Sequence, residues 1–202
     1  MRRIVYKEAL SRKELRDIII SVLVVSLIFA YNNANPASTI ALFPLFLLIV
    51  IVTFLFHELA HRFVARRFGC ASFYKLWIEG IIFGLLFMLV GVKFVAPGAV
   101  VIYPYQFGRW GFRYIGLTAT EMGLIAFSGI GVNLLLSMVF KPLTGILIIQ
   151  GVDLFGSLAF VNAWLAFFNL LPIPPLDGGK IFRWKPWFWF LLFLTSILLI
   201  FL

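Results

Sequence analysis

Residues 40–56, IALFPLFLLIVIVTFLF, carry no charge and run directly into HELAHRFVARRFG at 57–69. A stretch this apolar belongs either in a large protein core or in lipid. The rest of the chain decides between them. Apolar residues make up 63% of the 202 positions, charged residues 12%, and phenylalanine alone contributes 24. A soluble domain is nearer half apolar and a quarter charged. The chain therefore reads as a polytopic membrane protein of α class, with no second composition regime that would mark another domain.

Hydropathy gives candidate helices at 18–31, 40–68, 76–95, 121–140, 143–171 and 187–202, about five or six spans in all. The chain divides into an N-terminal basic segment with a first helix (1–39), a core (40–185) and a C-terminal helix (186–202). A basic start followed by IIISVLVVSLIFA also resembles a secretory signal. YNNANPAST after it offers no clear small-x-small cleavage site, so a retained helix is expected.

The net charge of +9 raises the question of nucleic acid. Lys and Arg instead cluster where apolar runs end, in MRRIVYKEALSRKELRD, RFVARRFG and GGKIFRWK. Such positions orient spans and meet anionic headgroups, and no continuous basic face for a nucleic acid is evident. The partners implied are a lipid bilayer and no nucleic acid. The same rule places the N-terminus in the cytoplasm and returns the second helix there, because NNANPAST is uncharged whereas Arg62, Arg66, Arg67 and Lys75 follow the second run. Segment 76–95 would make the crossing count odd. Its glycines, Gly80, Gly84 and Gly91, fit a re-entrant loop, which keeps Lys93, Arg109 and Arg113 on the positive side. The single cysteine, Cys70, has no partner for an internal disulfide.

Residues 99–118, AVVIYPYQFGRWGFRYIGLT, differ from the rest. AVVIY and FRYIGLT favour strands and the PYQFGRWG between them favours a turn, so a β-hairpin or pair of strands near the membrane surface is expected here. Unpaired backbone cannot face lipid, which puts such strands at the surface or under protein.

The chemistry is concentrated in HELAH. His57 and His61 are the only histidines. At i and i+4 they share one helix face, where both imidazoles can meet one cation. Glu58 is rotated about 100° from His57, within reach of a water on that cation. This is the H-E-x-x-H arrangement of zinc hydrolases, with two ligands and a general base. The plainer alternative, buried polar residues bonding neighbouring helices, is weak because ionisable groups in a membrane helix are costly.

A catalytic zinc takes a third protein ligand and keeps an open position. Glu8, Glu14 and Asp17 belong to the charged N-terminal segment and read as solvated. Glu79, Glu121 and Asp153 are isolated; the first two suit an interface and Asp153 a helix cap. Asp177 lies in FFNLLPIPPLDGGKIF, where Pro172, Pro174 and Pro175 remove N–H donors and break the helix. Backbone broken at membrane depth must be buried or line a wet cavity, and a carboxylate presented there suits the third ligand. A turn aspartate at a helix start is the simpler alternative.

HELAH followed by NLLPIPPLDGG resembles the site-2 protease family of intramembrane zinc metalloproteases, in a minimal form without PDZ or CBS modules. The resemblance spans residues 50–185. It implies one zinc per chain held by His57, His61 and Asp177, with Glu58 activating water. SGIGVN at 128–133 is similar to the family's G-P-x-x-N motif, with Ile130 in place of proline. It implies a substrate-binding role for Asn133, and NLLP implies a similar one for Asn169; helix–helix hydrogen bonding is the alternative for both.

The activity expected is hydrolysis of peptide bonds in or near transmembrane segments of membrane-protein substrates. The alternatives are a different H-E-x-x-H membrane protease, with a glutamate as third ligand, and a non-proteolytic metal-binding scaffold or transporter.

Overall fold

The computed structural model describes residues 11–32, 34–103, 105–108, 111–114 and 116–201, with backbone alone over 105–108 and 111–114. Seven α-helices and three two-stranded antiparallel sheets make up these described residues.

Helix α1 (Arg12–Ala30) starts where the Ser11 hydroxyl accepts the Glu14 N–H, a side-chain N-cap. That is six residues before the apolar run begins. Helix α2 (Pro36–Arg67) opens on Pro36, whose missing N–H costs nothing in a first turn. It ends in a Schellman turn. Gly69 takes φ +80°, its N–H bonds Arg66 O, and the Cys70 N–H bonds Ala65 O. Cys70 is buried there against Ala65 and Ile125, and burial holds its thiol pKa above the ordinary value.

The chain then forms β1 (Ala71–Leu76), α3 (Ile78–Leu89) and β2 (Gly98–Tyr103), with β1 and β2 antiparallel from Ala71↔Tyr103 to Leu76↔Gly98. Strands do form over 98–114, with partners other than those expected. AVVIY pairs backwards across α3 with β1, and not with FRYIGLT. The intended turn supplies β3 (Tyr105–Gly108), which pairs with β4 (Gly111–Tyr114). The physical reason is that α3 spans only 12 residues, about 18 Å of helix. The chain goes out along α3 and returns through 90–97, so the flanking segments meet, with the Trp77 N–H bonded to Pro97 O. That length is also below the ~20 residues of a full crossing.

Helix α4 (Ala119–Phe140) begins with a capping box in which Thr118 Oγ1 accepts the Glu121 N–H and Glu121 Oε2 accepts the Thr118 N–H. The run expected to be helical from 143 is not. After a 3-10 turn come the short strands β5 (Ile148–Ile149) and β6 (Val152–Asp153), and α5 covers only Leu154–Leu170. Asp153 stands at the N-cap position of α5, but its Oδ2 accepts the Gly145 N–H and not a helix N–H. Helices α6 (Gly178–Trp184) and α7 (Pro186–Phe201) close the chain.

Helix α4 packs against α2 and α5, α1 against α2, α6 against α4, and α7 against α5. One apolar core lies between α1, α2 and α5; a second joins α4, α5, α6 and α7. Two stretches, Pro36–Arg67 and Ala119–Leu143, are long and apolar enough to cross a membrane. Their outward faces expose Leu48, Phe56, Phe63, Leu135 and Val139. Lys93 ties the α3 excursion to α1, its Nζ donating to the carbonyls of Ile28 at 2.6 Å and Tyr31 at 2.7 Å.

The N-terminal carboxylates are not solvated, contrary to the expectation for a charged segment. Glu14 and Asp17 are each 3% exposed. Glu14 Oε1 accepts Arg62 Nη1 at 2.6 Å and the Tyr74 N–H at 3.0 Å. A carboxylate buried with a guanidinium and a backbone donor is a joint between α1, α2 and β1. Glu8 lies outside the described residues.

Candidate metal centre

His57 and His61 project from the same face of α2, with ring centroids 4.5 Å apart and planes at 84°. Both are buried, at 2% and 3% exposure. Their Nε2 atoms lie 2.9 Å apart. Asp177, 116 residues beyond His61 in sequence, brings Oδ2 to 2.8 Å from His61 Nε2 and 3.6 Å from His57 Nε2. Among the described residues this is the one group of three or more His, Cys, Asp or Glu side chains close enough to hold a metal ion.

The spacing fits zinc. With metal–ligand bonds of about 2.0–2.1 Å and tetrahedral geometry, ligand atoms sit about 3.3 Å from one another. The observed separations of 2.8, 2.9 and 3.6 Å bracket that value. Two imidazoles and one carboxylate also form a donor set common to catalytic zinc.

His61 and Asp177 are each oriented by a neighbour, whereas His57 Nδ1 has no hydrogen-bond partner among the described residues. His61 Nδ1 lies 2.7 Å from the Ile125 carbonyl oxygen on α4. A carbonyl only accepts, so Nδ1 carries the proton and Nε2 presents its lone pair to the centre. Ser128 Oγ donates to the same carbonyl at 2.7 Å. Gly129, one turn along α4 from Ile125, faces the rings. A Cβ there would come within 2.6 Å of His61 Cε1 and 2.8 Å of His57 Cε1, and closer still to His61 Nε2. Only glycine lets α4 lie against the imidazoles.

Asp177 is delivered by the break after α5. The segment 171–177 leaves the helix and contains a cis Pro174–Pro175 bond. Gly178 then packs on the end of α5, where a Cβ would meet Leu171 O at 2.7 Å and the Leu170 carbonyl at shorter range. Asp177 is the N-cap residue of α6 but makes no side-chain cap bond. Its Oδ1 instead accepts Lys180 Nζ at 2.7 Å. In the sequence Lys180 looks like one more cation at the end of a span, and its spacing of three from Asp177 on a helix is the signal for this pair.

Glu58 is 8% exposed, and its Oε2 has no hydrogen-bond partner among the described residues. It lies between two cavities. On one side, a small cleft is lined by His57, Val95, Gly98 and Asn169, among others. On the other, an apolar groove of about 450 Å³ runs between α1, α2 and the β1–β2 sheet. Asn169 thus borders the metal cleft, with its Nδ2 donating to Leu165 O at 2.9 Å. Asn133 is fully buried and neither amide atom has a hydrogen-bond partner among the described residues. Asn162, which no motif marks in the sequence, is fully buried on α5, and its Nδ2 donates to Thr53 Oγ1 of α2 at 3.2 Å. The carboxylate of Glu121 is held in its capping box and is not part of the centre.

Three known proteins are similar in sequence to this chain. Zinc metalloprotease MJ0611 of Methanocaldococcus jannaschii, a provisional designation, is 40% identical over 184 residues, covering 89% of this chain and 88% of its own. YwhC of Bacillus subtilis, also provisionally a zinc metalloprotease, is 29% identical over 70% of this chain and 69% of its own. Zinc metalloprotease MJ0392 of M. jannaschii is 29% identical over 67% of this chain, which matches 32% of that longer protein. No family model matches the chain, and no solved structure does. With a metal-ready His57–His61–Asp177 group in place, the chain belongs to the zinc metalloprotease family of these relatives, in agreement with the site-2 protease resemblance of its HELAH and LDGG motifs.

Proposed function

We propose that this protein is an intramembrane zinc metalloprotease of the site-2 type, cutting peptide bonds within or beside transmembrane segments of membrane-protein substrates. The observation that carries the proposal is the convergence of His57, His61 and Asp177 beside Glu58 on a helix whose preceding turns are uncharged. His57 stands ten residues before the last residue of α2, about 15 Å from its basic end. A cation there sits at membrane depth. The apolar outward faces of α2 and α4 support a multi-pass protein in a cell membrane. The basic segments support a cytoplasmic N-terminus.

When bound, zinc supplies an acidified water and polarises the scissile carbonyl. Glu58 is the general base: its unpaired Oε2 takes the water's proton and delivers it to the leaving amine. The Ile125 carbonyl holds His61 in its ligating tautomer through the catalytic cycle. Asn169, on the cleft wall, is placed to bond an unwound substrate backbone, and Asn133 carries unused amide capacity one turn beyond Gly129. The segment that leads into β2 borders the same cleft. An extended substrate can therefore add to the β2 edge by main-chain bonds and lie across Glu58. The apolar groove on the other side of Glu58 suits the flanking side chains of such a substrate.

Metal analysis and peptide-cleavage assays on the detergent-solubilised protein test this. Wild type should carry one zinc, Asp177→Ala should lose it, and Glu58→Gln should keep zinc while losing hydrolysis. Zinc retained in Asp177→Ala would refute the ligand set. Cleavage by Glu58→Gln at the wild-type rate would refute the base, whereas wild type that carries zinc but cuts nothing would favour a non-proteolytic metal protein. For topology, cysteines placed at 67 and 106 should label from the same side of the membrane; labelling from opposite faces excludes the re-entrant reading of 76–95.

A further inference from the structure

Asp177 has two carboxylate oxygens with separate neighbours. Oδ2 faces both imidazoles, at 2.8 and 3.6 Å. Oδ1 faces Lys180 Nζ at 2.7 Å. An aspartate at the start of a helix ordinarily spends an oxygen on a first-turn N–H, but Asp177 makes no such cap bond. Its orientation is therefore not fixed by α6 in the usual way. Lys180 is fixed relative to it: the Lys180 N–H bonds the Asp177 carbonyl at 3.0 Å, so the side chain rises from the first turn and returns to the carboxylate. The lysine side chain is 28% exposed, and its ammonium is spent on this carboxylate at 2.7 Å.

We propose that Lys180 is a positioning residue for the metal centre, holding Asp177 Oδ1 so that Oδ2 alone is offered to zinc. The inference rests on the metal-centre reading above. A carboxylate free to swing can chelate through both oxygens. That would occupy coordination space that a catalytic zinc keeps open for water. An ammonium on Oδ1 competes for that oxygen, keeps the carboxylate monodentate and aims it. Interactions that orient a ligand in this manner commonly change metal affinity by about 10–100-fold. A charge-assisted bond to one oxygen also fixes the carboxylate plane, which packing around a short side chain does not do alone.

The test uses the full-length protein in detergent. Zinc affinity is measured by competition with a fluorescent chelator, on wild type, Lys180→Met, Lys180→Arg, Asp177→Asn and the double variant Lys180→Met/Asp177→Asn. Lys180→Met should bind zinc about 10–100-fold more weakly, and Lys180→Arg, which can still donate to Oδ1, should recover most of that loss. In the Asp177→Asn background, Lys180→Met should add little, since the two residues act through one interaction. Cobalt substitution adds a readout that a structural role would not move. Wild type should show the intense visible bands of a four-coordinate ion, and Lys180→Met weaker bands of higher coordination.

Unchanged zinc affinity in Lys180→Met overturns the inference. So does an equal loss in Lys180→Met and Lys180→Arg accompanied by a lower melting temperature of the metal-free protein, which would make Lys180 a structural support of α6. Absence of zinc from wild type would instead refute the metal centre itself, a different outcome from either.

Discussion

Substituting Gly129 by alanine introduces one methyl group against the two imidazoles. The new Cβ would lie 2.6 Å from His61 Cε1 and 2.8 Å from His57 Cε1. Carbon atoms settle about 3.5 Å apart or farther. The rings must therefore withdraw by about 0.9 Å and 0.7 Å, or α4 must move by a similar amount. His61 is not free to withdraw, because its Nδ1 is bonded to Ile125 O, one turn away on the same helix that carries the intruding methyl. Moving α4 disturbs its packing on both α2 and α5, a strain of about 1–3 kcal/mol. Zinc sites tolerate ligand displacements of only about 0.2 Å. Either adjustment should weaken zinc binding by at least 10–100-fold, about 1.4–2.7 kcal/mol. Gly131→Ala is the control on the same helix, since its Cβ would meet only the edge of the Phe127 ring at 3.0 Å. Chelator competition on both variants checks this. Wild-type zinc affinity in Gly129→Ala would refute the claim that α4 confines the imidazoles.

Two further outcomes follow from buried joints away from the metal. Glu14→Ala deprives Arg62 of a carboxylate at 2.6 Å and the Tyr74 N–H of its acceptor, and should cost about 2–4 kcal/mol; a thermal midpoint in detergent within a degree of wild type would contradict it. Lys93→Met leaves the Ile28 and Tyr31 carbonyls at the end of α1 without their ammonium donor, a loss of about 1–3 kcal/mol, seen as faster hydrogen exchange at residues 28–31 than in wild type.

The parts of this centre that were legible in the sequence are those set by local geometry. The i, i+4 spacing of His57 and His61 fixes a shared helix face whatever the tertiary structure, and the prolines before Asp177 announce a broken helix. What stayed hidden depends on residues far apart in the chain. Glu14 sits among so many charges that a solvated role was the natural reading; its partners Arg62 and Tyr74 are 48 and 60 residues away. The strand β1 was missed for the same reason, because SFYK pairs only once α3 has turned the chain back. Gly129 stands four residues before Asn133 in SGIGVN, yet nothing local says which ring it faces. The hydropathy pattern located α2 and α4 well, but it extended one helix across 143–153, where Gly145 and Gly151 take positive φ and reverse the chain.

The C-terminal helix α7 also braces the segment that presents Asp177. Where α5 stops at Leu170, the prolines that follow cannot donate to the last carbonyls of the helix. Within a membrane those carbonyls have no water to turn to, and each unsatisfied one is costly. The structure meets the need from α7: Trp189 Nε1 donates to Leu170 O at 2.7 Å. Gly178 packs against that same carbonyl, so the indole also sets the position from which Asp177 reaches His61. Trp189→Phe keeps most of the ring packing against Phe182 and Phe193 but removes the donor. It should cost about 1–3 kcal/mol, the range for leaving a buried acceptor unpaired. Because Asp177 is carried by the same break, zinc affinity should fall as well. Trp189→His, with a ring N–H in a smaller side chain, should restore less than half of either loss because its reach is shorter. Thermal unfolding and chelator competition on the same samples measure the two effects together. If Trp189→Phe lowers stability while zinc affinity stays at the wild-type value, the break is braced independently of α7, and the link from the C-terminal helix to the metal is wrong.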